Sequence, residues 1–159
     1  MYKSCTTNMQ PAKIRLFTHW NWSGGPLTFW SELGAQYIQA LLDADASFHL
    51  ITLSPTLFDG PEHLQRYFET PLDSSYDINM VIGFQLTDFG LCFTPRMFNV
   101  AITDPVKYPP RGDAILELAK FDVVGVSTAE GVRGLHAVGL RYAKYFPPTA
   151  NAMKGLLNP

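Results

Sequence analysis

The sequence predicts a three-layer α/β domain built on a mainly parallel sheet of about six strands. Three observations predict it. From residue 13 onward, short apolar runs rich in β-branched residues alternate with segments of helical spacing. The apolar runs are nearly continuous, as in strands covered on both faces. The 159 residues, 47% of them hydrophobic and 16% charged, suit one domain with a real core.

The elements follow in order. Residues 1–12 are polar and unpatterned and read as a loose arm, leaving 13–159 as the single domain. Residues 13–20 form the first strand, with Ile14, Leu16 and Phe17 almost continuous. Trp30, Leu33, Gly34, Tyr37, Ile38 and Leu41 recur at the spacing of one helix face. Pro26 precedes them where a first-turn proline is tolerated. "FHLITL" (48–53) is the second strand, and "GPEHLQRYFE" (60–69) a short helix. "DINMVIGF" (77–84) is a buried strand. Residues 87–97 are irregular or a short helix. Strand 98–103, helix 113–121 and strand 122–127 come next. "STAE" then reads as a capping box, with Ser127 as the cap and Glu130 reaching back, opening a helix from 128 to about 138. His136 falls with Val132, Leu135 and Gly139 on its inner face. "RYAKYF" (141–146) is the last strand, closed by Pro147 and Pro148.

The composition narrows the function. The net charge is −2 and no basic run tracks a phosphate backbone, which argues against nucleic acid. No apolar run is long enough to span a membrane, and the first residues lack the core of a signal peptide, so the expected compartment is cytoplasmic. Cys5 and Cys92 make no disulfide framework, and no metal-ligand spacing or cofactor motif is present. His49 and His63 read as incidental.

In sheets of this kind ligands bind beyond the carboxyl ends of the strands. "THWNWSGGP" (18–26) lies at such an end and before a helix start. Gly24 and Gly25 let backbone amides approach an anion, or they serve a tight turn. His19 is a catalytic or ligand-binding residue, or a hydrogen-bonded, half-buried histidine. Trp20 and Trp22 can stack on a sugar face or pack; Trp30 reads as packing. Asp104, at the end of strand 98–103, is a base or hydroxyl ligand, or the start of an Asp-Pro turn. The loop is neither a dinucleotide fingerprint nor a P-loop.

The order of these segments resembles the N-terminal, acceptor-side half of a GT-B glycosyltransferase, over roughly residues 13–148. "KIRLFTHWNWSGGPLTFWSELG" resembles that family's opening strand, Gly-Gly loop and long helix. "LAKFDVVGVSTAEGVRGLHAVGLRYAKYFPP" is similar to its strand-end serine, following helix and strand ending in proline. The resemblance implies a Rossmann-like domain. Gly24 and Gly25 match the loop facing the sugar-nucleotide, Asp104 lies near the acceptor, and Ser127 matches the cleft floor. It also implies a second, donor-binding domain that these residues do not contain. The expected ligand is therefore a nucleotide-sugar or sugar-phosphate, with a partner chain or homodimer completing the cleft. The other readings are a non-catalytic binding module for a small phosphorylated or sugar ligand, and a regulatory remnant that binds another protein.

Overall fold

A computed structural model describes residues 12–18, 28–52, 62–68, 76–83, 86–105 and 111–146. Its elements alternate as the sequence predicts: β1 (Lys13–Thr18), α1 (Thr28–Asp43), β2 (Ser47–Thr52), α2 (Glu62–Phe68), β3 (Ile78–Ile82), α3 (Leu86–Cys92), β4 (Phe98–Ile102), α4 (Gly112–Leu118), β5 (Val123–Val126), α5 (Ala129–Ala137) and β6 (Ala143–Tyr145). The ambiguous segment after β3 resolves as α3. The six strands form one all-parallel sheet in the order β2-β1-β3-β4-β5-β6.

Helices cover both faces, which gives the three layers. Alternate residues of each strand point to opposite faces. Ile14, Leu16, Phe48, Leu50, Val100 and Ile102 pack with Leu33, Ala35 and Ile38 of α1 and Leu64 of α2. Tyr67 of α2 stacks on Phe48, with centroids 4.4 Å apart. On the opposite face, Val81, Ala101, Val124 and Val126 pack with Phe89 and Cys92 of α3, Leu118 of α4 and Leu135 of α5.

Two helix ends use the same closing motif. After α1, the N–H of Asp45 donates to Leu42 C=O and that of Ala46 to Leu41 C=O. After α5, Gly139 and Leu140 repeat the pattern onto His136 and Leu135. Each turn needs a left-handed residue, supplied by Asp45 (φ 51°) and Gly139 (φ 95°). The turn after α5 also corrects one expectation. His136 is exposed rather than a core histidine. The buried stripe runs through Gly131 and Leu135, and the His136 ring reaches outside it to Ala143 C=O at 2.9 Å.

Gly34 sets how closely α1 approaches the sheet. A Cβ there would overlap Thr18 Oγ1, and Thr18, the last residue of β1, is fully buried. Glycine is required by space, not by backbone angle. Gly34→Ala should therefore lower stability by about 1–2 kcal/mol, in the range of mild overpacking. Adding Thr18→Ala, which deletes the clashing oxygen, should recover part of the loss in chemical denaturation. Equal losses in the single and double variants would overturn this account.

Candidate functional site at the carboxyl edge of the sheet

Parallel strands bring all their carboxyl ends to one edge. There the order reverses once: the chain passes from β1 to β2 on one side, then returns to β3 on the other side of β1. β1 leads to α1 on one face of the sheet and β3 to α3 on the other, the arrangement at which doubly wound sheets generally bind ligands. The reversal falls at Thr18, where the loop holding His19, Trp20, Trp22, Gly24 and Gly25 begins. Those five residues lie outside the described residues; their flanks, the end of β1 and the start of α1, are in place.

The neighbouring strand ends are held in step by backbone bonds. Gly83 N–H donates to Ile102 C=O at 3.1 Å, Thr103 N–H to Gly125 C=O at 3.1 Å, and Phe146 N–H to Val126 C=O at 2.8 Å. Ile102 and Gly125 are register partners. Two residues further along each chain stand Asp104 and Ser127, so the structure brings these two sequence-predicted residues to adjacent strand ends. Both are half-buried. Asp104 has an interaction partner of its own, and Pro105 behind it packs toward the first turn of α5.

The capping of α5 differs from the expectation. The helix starts at Ala129, and Thr128, in extended conformation, is the cap: its Oγ1 accepts from Gly131 N–H at 3.0 Å. Ser127 is not the cap, and Glu130 falls one position short of closing a box. Serine and threonine are adjacent in the sequence, and both hydroxyls can cap. The choice falls to Thr128 because it is the extended residue immediately before Ala129, from which a side-chain oxygen reaches Gly131 N–H. The residue three beyond Thr128 is glycine for reasons of space, since a Cβ at Gly131 would crowd Val126, Thr128 and Pro105. Among the described residues, nothing hydrogen-bonds the Ser127 hydroxyl, which stays available at the edge.

This separates two neighbouring roles. Thr128→Ala should destabilise by about 1 kcal/mol through the lost cap. Ser127→Ala should leave thermal stability nearly unchanged. A larger loss for Ser127→Ala than for Thr128→Ala, in matched melts, would return the cap to Ser127.

Chemically, the described part of the edge offers a carboxylate at Asp104 and a serine hydroxyl at Ser127. Among the described residues, no three His, Cys, Asp or Glu side chains gather where they could hold a metal ion, and no helix is long and apolar enough to cross a membrane. No protein-family model matches the sequence, and no curated protein matches it.

Proposed function

We propose that the carboxyl edge binds a sugar-phosphate or nucleotide-sugar, and that the chain is the acceptor-side half of a GT-B-type glycosyltransferase. One observation carries the reading. The strand order reverses beside β1, so the Gly24–Gly25 loop leaves from the point where a doubly wound sheet opens its ligand crevice. The sequence resemblance suggests the ligand class, and the topology supports the carboxyl edge as its place.

In this reading the amides at Gly24 and Gly25 take the phosphate, and Trp20 or Trp22 takes the sugar or base face. Asp104 accepts a proton from, or a hydrogen bond from, an acceptor hydroxyl, with His19 as the second polar group of that wall. Ser127 lies on the floor. Transfer requires donor and acceptor held together. The donor-side wall is therefore supplied from outside this domain.

One wall of a cleft binds weakly. A millimolar dissociation constant, about −4 kcal/mol, is expected for glucose 1-phosphate, UDP or GDP. Chemical-shift mapping of the labelled chain should place the perturbations in residues 18–27, 103–105 and 127. No response at high ligand concentration, or a response confined elsewhere, would overturn the proposal. Binding with no nucleotide release from UDP-glucose or GDP-mannose, by monomer or dimer, would favour the non-catalytic binding module.

A further inference from the structure

A polar row crosses the sheet on the face opposite α1, and the carboxyl edge does not use it. His49, Arg15, Asn79 and Asn99 are register partners on β2, β1, β3 and β4. The row is saturated at one end. Asn79 Nδ2 donates to Asn99 Oδ1 at 2.8 Å and to Cys92 C=O at 2.7 Å. Asn99 Nδ2 donates to the carbonyls of Thr94 and Met97.

The other end is only half satisfied. Arg15 Nε donates to Asn79 Oδ1 at 3.2 Å, and Nη2 to Thr94 Oγ1 at 2.5 Å, with Met97 Sδ at 3.7 Å. The rings of Phe17 and Tyr76 lie against the guanidinium, with centroids 5.0 and 5.6 Å from Cζ. Tyr76 Oη also holds His49 Nδ1 at 2.5 Å. Among the described residues, nothing accepts from Arg15 Nη1, nothing meets His49 Nε2, and no carboxylate pairs with either side chain. Both are half-buried.

We propose that Arg15 and His49, with Tyr76 orienting the imidazole, form a second binding site for a small oxyanion of the phosphate class. A half-buried cation without a counter-charge is electrostatically incomplete. Aromatic faces attract it but offer no lone pairs to its hydrogens. The guanidinium is already fixed on one side by Asn79 and Thr94, so little side-chain freedom is lost when Nη1 engages an oxyanion. His49, on the next strand at the same level, adds a nitrogen to the same face. The site is separate from the carboxyl edge, because Arg15 lies three residues below Thr18, about 10 Å along β1.

The test is a titration of the full, isotope-labelled chain with inorganic phosphate, at ionic strength held constant with sodium chloride. Saturable shifts are expected at Arg15 Nε–H and in the His49 ring. His49→Gln should weaken the phosphate affinity about tenfold, the scale of one charge-assisted hydrogen bond. Arg15→Lys should abolish saturation. If Arg15→Lys fails to fold, His49→Gln carries the test, because Tyr76 is the only described side chain to which His49 hydrogen-bonds. Absence of saturable shifts at these two residues, equal shifts with chloride alone, or an unchanged affinity in His49→Gln would overturn the proposal. Phosphate shifts confined to residues 18–27, 103–105 and 127 would also overturn it, while leaving the carboxyl-edge reading in place.

Discussion

Asn79→Ala should lower stability by about 3–5 kcal/mol, the largest single effect expected in this protein. Asn79 is fully buried in the middle strand of the polar row. Its amide donates to Cys92 C=O and Asn99 Oδ1, and its oxygen accepts from Arg15 Nε. Alanine leaves two buried acceptors and one charged donor without this partner. Cys92 C=O and Asn99 Oδ1 keep Thr94 Oγ1 and Thr94 N–H as donors. The loss is therefore that of two neutral bonds at about 0.5–1.5 kcal/mol each and one to a charged group at about 1.5–3 kcal/mol. The damage spreads along the chain, because these bonds fasten the segment from Cys92 to Met97 to the sheet. Asn79→Asp is the informative companion. It keeps the acceptor for Arg15 but loses the amide donor and places a carboxylate against Asn99 Oδ1 and Cys92 C=O. Urea denaturation should rank both variants well below the parent protein. A loss under 1 kcal/mol for Asn79→Ala would mean that water replaces the amide, and that the row contributes little to stability.

Gly125→Val should cost about 3 kcal/mol, near the upper end of ordinary overpacking. Gly125 is buried in β5, and a Cβ there would lie 2.6 Å from Ile102 Cδ1 and closer still to two ring atoms of Phe146. The missing side chain is the space that the Phe146 ring occupies. The ring lies across the strand toward α1, with its centroid 6.4 Å from that of Tyr37. Burial pushes the Tyr37 phenol well above its ordinary range, by penalising the phenolate. Phe146 N–H is also the bond that ties the end of β6 to Val126. Displacing the ring therefore loosens the last strand as well as the core. Gly125→Ala should cost less, and Gly125→Val/Phe146→Ala should cost less than the two single losses added together, because the deleted ring removes the clash. Strict additivity in that cycle would show that the two residues do not share the space.

The layout of the chain was legible in the sequence, because strand and helix leave different local signals. Near-continuous apolar runs such as "NMVIGF" and "NVAIT" need burial on both faces, and that demands helices on either side of a parallel sheet. Proline and glycine punctuation located most boundaries to within two residues. The carboxyl-edge position of Asp104 and Ser127 followed from the same reasoning, since parallel strands share an end. Where two adjacent residues could serve one role, local pattern was insufficient. Ser127 and Thr128 both fit a cap, and only the point at which the helix begins, at Ala129, decides between them. His136 was placed in the core by counting along a helix that ends one residue later, at Ala137, and turns away at Gly139.

What the sequence by itself determined is the succession of elements, the parallel class of the sheet and the edge where a ligand site would lie. Each depends on periodicity and on residues close together in the chain. What only the tertiary structure decided is the strand order, the polar row and the spaces at Gly34 and Gly125. His49, Arg15, Asn79 and Asn99 are scattered along the chain. They meet only because β1 lies between β2 and β3, in a register that sets the four at one level. A glycine in a sequence does not say whether it serves a turn or a neighbour. At Gly125 the neighbour is Phe146, twenty-one residues away, and hydrogen bonds between β5 and β6 bring the two together.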